Sequence, residues 1–296
     1  KIMAKTKGDF YFIGFGNMAQ AIYERMDKSA YKHIFLIEKS AKRIKDLKKL
    51  NCYKYLISSP QTKIIKKLNK SKLKNLDIVL LAVKPAQIKS VCAQIKPLIK
   101  NLPLIISIAA GVTTAKLKKY LNGEDDAYIV RAMPNLCAKT GTAITGLFGI
   151  SHKLKLKLMA KPFGAKGGTK LGKKVSKIFS SFGQVLWVEL ESDLDSVTAI
   201  SGSGPAYIYF IMNAMIEAAI ELGLKKSDAQ RLVAQTIIGA GETGKDIDNL
   251  ESEIIKVSSK GGTTEKAISI FKQKKLDTII KQAVKAAHKR SKELSK

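Results

Sequence analysis

The sequence predicts an α/β amino-terminal domain built on a doubly wound parallel sheet, followed by an all-helical carboxy-terminal domain. Up to about residue 190, short continuous apolar runs alternate with segments of helical periodicity. This pattern is typical of parallel strands covered by helices on both faces. From Glu191 onward only helical periodicity remains. We therefore expect one domain over residues 1–190 and a second over residues 191–296.

Five apolar runs in the first half have the composition of buried strands. In chain order they are DFYFIGFG, YKHIFLIEKS, LDIVLLAVKP, PLIISIAAG and AYIVRAMPN. Amphipathic segments separate them, and Thr113 or Thr114 is suited to cap one of these helices. A short helix and a last strand, QVLWVEL, close the sheet near Leu190. Before them, residues 151–174 are rich in lysine and glycine, and we expect an insertion loop there.

The second domain opens with a long helical stretch, DSVTAISGSGPAYIYFIMNAMIEAAIELGL, that is apolar on nearly all sides. A helix of this kind is buried, often in a subunit interface. The pattern therefore predicts a helical dimerisation domain and a homodimer.

The charge of the chain limits its function classes. The net charge is +29, but only five of the 53 basic residues are arginines, the residue preferred for bidentate phosphate and base contacts. The lysines are spread over nearly every helical segment, so we interpret them as solvated surface and expect no specific nucleic-acid partner. Weak attraction of polyanions remains expected. The sequence has no uncharged apolar run long enough to cross a membrane and no secretory signal pattern.

Cysteine and histidine usage indicates neither disulfides nor metal. Cys52, Cys92 and Cys137 are scattered and form no C-x-x-C pair, which favours a reducing, cytoplasmic location. The three histidines form no metal-binding pattern with carboxylates, so no metal site is predicted.

A glycine turn near the amino terminus carries the first chemical signal. Gly14, Gly16 and Ala19 follow the first predicted strand and open the first predicted helix, the context that a dinucleotide fingerprint requires. In such a turn the first glycine permits the bend and the second lets the backbone approach a pyrophosphate. The small third residue packs helix against strand. The motif predicts a Rossmann-type nicotinamide site.

Glu38 ends the second predicted strand, near the expected position of the adenosine ribose. A carboxylate there favours the 2′-hydroxyl of NAD. The neighbouring Lys39 and Ser40 suit a 2′-phosphate instead. The cofactor is therefore NADPH or NADH, and the two signals oppose each other.

Three more segments end parallel strands at the edge where open α/β sheets bind ligands. They are Ala82–Pro85, Ala109–Gly111 and Met133–Asn135. Small residues at Ala109 and Ala110 leave room for a flat nicotinamide ring. Far along the chain, the loop Ser258–Thr264 combines hydroxyls and glycines ahead of a helix. It is either an ordinary cap or a site for a small carboxylate.

Together and in this order, these motifs resemble the pyrroline-5-carboxylate reductase family, which performs the last step of proline synthesis. The resemblance runs from about Phe10 to the carboxy terminus and is broken mainly at residues 151–174. Its most specific parts are ISGSGPAYIYFIMNAMIEAAIELGL, over Ile200–Leu224, and VSSKGGTT, over Val257–Thr264.

The resemblance implies hydride transfer from NAD(P)H to the C=N bond of 1-pyrroline-5-carboxylate, giving L-proline. It implies a substrate pocket in the helical domain that is completed across the interface of a dimer or an assembly of dimers. The implied catalytic residue is Thr264, whose hydroxyl bonds the ring nitrogen. A protonated imine is already electrophilic, so this chemistry needs mostly orientation rather than a strong general acid. The implied substrate-binding residues are Ser259, Gly261, Gly262, Thr263 and Thr264. The motifs and the resemblance together predict as cofactor-binding residues Gly14, Phe15, Gly16, Asn17, Met18, Glu38, Lys39, Ser40, Ala82, Val83, Lys84, Pro85, Ala109, Ala110, Met133 and Asn135.

Two alternative functions are a β-hydroxyacid-type dehydrogenase and a non-catalytic nucleotide- or polyanion-binding protein. The dehydrogenases place a catalytic lysine shortly after a similar Gly-x-Gly, whereas Pro205–Ile208 follow Gly204 here. One departure from the reductase pattern is Lys260, which stands where the family usually has proline. We expect it to loosen the loop without abolishing activity.

Overall fold

The structure is a computed structural model. It describes residues 8–38, 40, 42, 44–45, 62–65, 77–99, 103–121, 128–150 and 169–295. The chain divides into two compact units. The first comprises Lys1–Gly202 with His288–Lys296, and the second comprises Ser203–Ala287. The first unit thus includes residues 191–202 and the last turns of the chain, which the sequence-based division assigned to the second domain.

The first unit is built on an eight-stranded sheet with the order β3-β2-β1-β4-β5-β6-β7-β8. Strands β1 to β6 run parallel, β7 is antiparallel to β6, and β8 is parallel to β7. The chain winds outward from β1 in both directions, which confirms the doubly wound α/β fold. The strands are β1 (Phe10–Ile13), β2 (Ile34–Ile37), β3 (Thr62–Ile65), β4 (Ile78–Leu81), β5 (Leu104–Ser107), β6 (Tyr128–Met133), β7 (Ala143–Ile150) and β8 (Gly183–Trp187).

Helices connect the strands of the first unit and form the second unit. In the first unit they are α1 (Asn17–Arg25), α2 (Ile88–Ile95), α3 (Thr114–Tyr120), α4 (Lys170–Ser180) and α5 (Asp193–Val197). Those that follow are α6 (Gly204–Glu221), α7 (Lys226–Gly244), α8 (Leu250–Val257), α9 (Thr263–Gln273) and α10 (Leu276–Ser295). Helix α10 begins in the second unit and ends in the first.

Two apolar cores cover the two faces of the sheet, and strand β1 contributes to both. Phe10 and Phe12 lie in the core formed with α1 and α4, whereas Tyr11 and Ile13 lie in the core formed with α2 and α3. Successive side chains of a strand point to opposite faces. Burial of both faces therefore explains why the strands are continuously apolar.

The prediction of an insertion loop is wrong at its carboxy-terminal end, because residues 170–174 form the start of α4. The Thr169 hydroxyl accepts a hydrogen bond from the Gly172 amide (3.0 Å) and caps this helix. Val175 and Ile178 bury its apolar face in the core. The many lysines between the apolar positions made this amphipathic helix look like a loop in the sequence. Residues 151–168 lie outside the described residues.

Strands β3 and β7 were not predicted. Strand β7 contains Gly146 and Gly149, and glycine is depleted in strands. The structure explains Gly146, since a Cβ there would lie 2.8 Å from a methyl of Val197 and 2.9 Å from one of Leu194. The missing side chain lets α5 pack closely on the strand.

Candidate functional site

The glycine turn after β1 has the shape that a dinucleotide needs. Gly14 has a φ of +83°, and its amide donates to the Ile37 carbonyl (2.9 Å). A Cβ on Gly14 would lie 2.7 Å from both the Ala82 carbonyl oxygen and a methyl of Val83. Gly16, the N-cap of α1, has no described atom within 4 Å of the position its Cβ would occupy. This open space at a helix N-terminus fits a pyrophosphate.

The side chains next to Gly16 differ in burial: some pack in the core and others are exposed at the turn. Phe15 is fully buried and its ring packs edge-on against Phe12 and Tyr23, at centroid distances of 5.7 and 5.8 Å. Met18 is half-buried and packs on the same core, whereas Asn17 is exposed at the start of α1. Phe15 therefore offers only its backbone to the turn.

The Glu38 carboxylate bridges the glycine turn and the segment after β2. One oxygen accepts a hydrogen bond from the Phe15 amide (3.2 Å), and the other accepts from the Ser40 amide (2.9 Å). These bonds hold the carboxylate at the carboxyl end of β2, where the ribose of a dinucleotide lies in this fold. Ser40 is exposed, and Lys39 lies outside the described residues.

Strand register brings the other three predicted segments to the same edge of the sheet. Ile13 pairs with Leu81, Leu81 with Ser107, and Ser107 with Arg131. The turns that follow β1, β4, β5 and β6 therefore begin in one row.

Exposure differs between these segments. Ala82 and Val83 are half-buried, Lys84 and Pro85 are exposed, Ala109 is buried, and Ala110 and Met133 are half-buried.

Asn135 is buried and hydrogen-bonds Ser201, a residue that was predicted to belong to the second domain. Its side-chain amide donates to the Ser201 hydroxyl (3.0 Å) and carbonyl (3.2 Å). The Met133 methyl group lies 2.6 Å from where a Cβ of Gly202 would be, so a larger residue at that position would require the Met133 side chain to move. Residues Thr198–Gly202 form a π-helical turn, a feature frequent at functional sites. Ser201 and Gly202 were not predicted as partners of the Met133–Asn135 segment, because they lie more than 60 residues away in the chain.

The predicted substrate loop lies between α8 and α9 in the second unit. The Gly262 amide donates to the Ser259 carbonyl (2.9 Å), and Gly261 has a φ of +76°. These features define a type II turn whose second position is Lys260, where proline is favoured. The Gly261 amide donates to the Glu265 carboxylate (2.7 Å). The amides of both loop glycines are thus engaged within the loop.

The start of α9 remains available to a ligand. Gly262 is the N-cap residue, and no described side chain accepts from the first-turn amides of this helix. Thr263 is exposed and Thr264 is half-buried in this first turn. The Ser258 hydroxyl is buried without a hydrogen-bond partner among the described residues. An uncapped helix N-terminus flanked by hydroxyl groups is suited to a small carboxylate.

Among the described residues, no three His, Cys, Asp or Glu side chains lie together in a group that could hold a metal ion. Burial raises the pKa of the Cys92 thiol to about 11, so this thiol stays protonated and unreactive. Within the described ranges, no helix is both long and apolar enough to cross a membrane.

Two family models match the chain, one in each half. The model described as "Pyrroline-5-carboxylate reductase dimerisation" matches residues 191–294. The model described as "NADP oxidoreductase coenzyme F420-dependent" matches residues 9–111. The first match contains the predicted substrate loop, and the second contains the glycine turn and the ends of β4 and β5.

Whole-chain comparisons agree with these matches. A pyrroline-5-carboxylate reductase of Pasteurella multocida is 32% identical over 289 residues, which is 96% of this chain and 97% of the relative. The structure of a pyrroline-5-carboxylate reductase from Coxiella burnetii superposes with a TM-score of 0.76 at 32% identity, covering 98% of this chain and 100% of that one.

The Plasmodium falciparum pyrroline carboxylate reductase, crystallised with NADP bound, has a TM-score of 0.75 at 26% identity. The superposition covers 99% of this chain and 99% of that one. The chain belongs to the pyrroline-5-carboxylate reductase family.

Proposed function

We propose that this protein reduces 1-pyrroline-5-carboxylate to L-proline with NADH or NADPH. The observation that carries the proposal is the Ser258–Thr264 loop, where a type II turn leads into the uncapped N-terminus of α9. This loop lies within a region that matches the family's own dimerisation model. An uncapped helix terminus beside threonine hydroxyls suits a substrate with one carboxylate and one ring nitrogen.

The first unit would hold the cofactor through its strand-end turns. The pyrophosphate would lie at Gly16 on the N-terminus of α1, and Glu38 would bond the adenosine ribose. Ala109, Ala110 and Met133 would border the nicotinamide. When bound, the reduced nicotinamide supplies the hydride.

The second unit would orient the substrate. The first-turn amides of α9 and the Ser259 hydroxyl would bind the carboxylate. The Thr264 hydroxyl would bond the ring nitrogen, which takes its proton from solution. Hydride addition to the C=N carbon then leaves a secondary amine, and no further proton transfer is needed. Orientation is therefore the main task of these residues.

We propose a homodimer, or an assembly of dimers, as the active form. Large apolar side chains are exposed on the second unit, among them Phe210 at 80% and Leu222 at 86%. Exposed apolar surface of this extent marks an interaction site, and a second copy of the chain is the occupant that the family match indicates. The free, buried Cys92 thiol is compatible with action in the reducing cytoplasm.

The test is oxidation of NADH and of NADPH on addition of 1-pyrroline-5-carboxylate, with L-proline quantified as product. We expect stoichiometric proline formation. Turnover of a β-hydroxyacid instead would favour the dehydrogenase alternative. Polyanion binding without turnover of either substrate would favour the non-catalytic alternative.

A further inference from the structure

Arg131 on strand β6 forms a charge cluster with Glu191 and Asp195 that takes no part in the proposed reaction. Arg131 is only 2% exposed. Its Nη1 lies 3.5 Å from Glu191 Oε1, and its Nη2 lies 3.7 Å from Asp195 Oδ1. The Nη2 group makes no hydrogen bond to any described residue. A buried guanidinium requires such pairing, and removing one partner leaves an uncompensated charge.

Glu191 connects this cluster to the start of α3. One of its oxygens accepts from the Thr114 amide (2.7 Å), and the other accepts from the Thr114 hydroxyl (2.6 Å). Thr114 is the first residue of α3 and comes shortly after the turn Ala109–Gly111. Glu191 therefore holds the carboxyl-terminal side of the turn that is expected to border the nicotinamide.

Asp195 connects the cluster to the end of the chain. Its Oδ1 accepts hydrogen bonds from the Ser291 hydroxyl (2.7 Å) and the Ser295 hydroxyl (3.2 Å), both on the last turns of α10. Ser291 and Asp195 are buried, at 6% and 5% exposure. The buried Asp195 and the half-buried Glu191 carboxylates face one guanidinium here, and the serine hydroxyls help to stabilise the excess negative charge.

The same end of α10 lies directly on Gly111. The residue has a φ of +72°, and a Cβ there would lie 2.6 Å from the Leu294 carbonyl oxygen and 2.9 Å from its carbonyl carbon. The turn Ala109–Gly111 is thus confined by Leu294 on one side and, through Thr114, by Glu191 on the other. These two contacts are connected, because Glu191 pairs with Arg131, Arg131 with Asp195, and Asp195 with Ser291 on the same helix as Leu294.

We propose that the end of α10, through Ser291 and Ser295, positions the Ala109–Gly111 turn for hydride transfer. This inference rests on the proposed function. These serines are positioning residues that act through Asp195 and Leu294. Without their hydroxyls, the end of α10 is no longer tied to Asp195, and the turn gains freedom where the nicotinamide must be held. The adenosine end of the cofactor, bound at Gly16 and Glu38, is unaffected.

The test is the double variant S291A/S295A, with K292A as the matched control in the same turn, where Lys292 is exposed. All proteins are compared at a temperature at which circular dichroism shows them fully folded. We expect the double variant to lower kcat about five- to tenfold and to raise the deuterium isotope effect measured with 4-deuterated cofactor. The affinity for ADP-ribose and its 2′-phosphate, which lack the nicotinamide, stays within twofold of wild type. K292A matches the wild type throughout.

The single variants S291A and S295A guard against simple unfolding, because each leaves every charge of the cluster in place. Each removes one of the two hydrogen bonds to Asp195, and we expect the same separation between kcat and ADP-ribose affinity, at a smaller magnitude in each. An unchanged kcat and isotope effect would overturn the inference. So would equal losses of kcat and ADP-ribose affinity, because they would indicate a merely structural role.

If the wild-type protein turns over no 1-pyrroline-5-carboxylate, the proposed function is wrong. The positioning role is then tested by binding alone. The affinities for NAD⁺ and for ADP-ribose are then compared. S291A/S295A should lower the ratio of NAD⁺ to ADP-ribose affinity, and an unchanged ratio would reject the positioning role.

Discussion

The substitution Gly14→Ala tests the dinucleotide turn at its most constrained position. The new Cβ would lie 2.7 Å from the Ala82 carbonyl oxygen and 2.7 Å from a methyl of Val83, in a backbone with a φ of +83°. The left-handed conformation costs an alanine about 1–2 kcal/mol, and the overlap adds about 1–3 kcal/mol of overpacking. We therefore expect the free energy of unfolding to fall by about 2–5 kcal/mol.

Gly16→Ala is the matched control at the neighbouring glycine. Gly16 has a φ of −77°, and no described atom lies within 4 Å of the position its Cβ would occupy. The free energy of unfolding should fall by no more than about 1 kcal/mol, because alanine is a poorer N-cap residue than glycine but meets no steric overlap here. The added methyl occupies the space where we propose that the pyrophosphate binds, so cofactor affinity should fall at least about tenfold, or 1.4 kcal/mol.

The chain offers a local probe for this comparison. Trp187 is the single tryptophan and ends β8 of the first unit, so its fluorescence during urea unfolding follows that unit. Titration with NADH and NADPH gives the affinities. Equal losses of stability in the two variants, or wild-type affinity in Gly16→Ala, would refute the assignment of these glycines.

Three further substitutions test cofactor choice, catalysis and loop geometry. Glu38→Gln removes a negative charge at the ribose position, so the ratio of kcat/KM with NADPH to that with NADH should rise about tenfold; an unchanged ratio in steady-state assays would place Glu38 away from the ribose. In the proposed mechanism, Thr264→Ala removes a hydrogen bond made chiefly in the transition state, so kcat should fall about tenfold or more. The exposed Thr278→Ala serves as its control, and wild-type rates in Thr264→Ala would remove that hydroxyl from the mechanism. Lys260→Pro places the favoured residue at the second position of the type II turn, so urea denaturation should show a gain of about 0.4–1 kcal/mol with kcat within about twofold. A loss of stability would contradict the turn assignment.

Features encoded in neighbouring residues were predictable from the sequence. Buried parallel strands are continuously apolar, and the turn at Gly14 and Gly16 has a local signature, so the fold class followed without any knowledge of contacts. The position of Glu38 also followed from chain order, because a residue directly after β2 lies beside the turn that follows the neighbouring parallel strand β1. The comparisons confirm the family.

Features that depend on contacts between distant residues were decided only by the tertiary structure. Arg131, Glu191, Asp195 and Ser291 meet although they come from a strand, a turn, a short helix and the last helix. Likewise, the partnership of Asn135 with Ser201 depends on where the π-helical turn lies against β6. The sequence determined the fold class, most of the elements and the edge of the sheet where we propose that the cofactor binds, because periodicity and turn chemistry are local. Which buried charges and hydroxyls support that edge depends on packing between elements, and no local pattern encodes it.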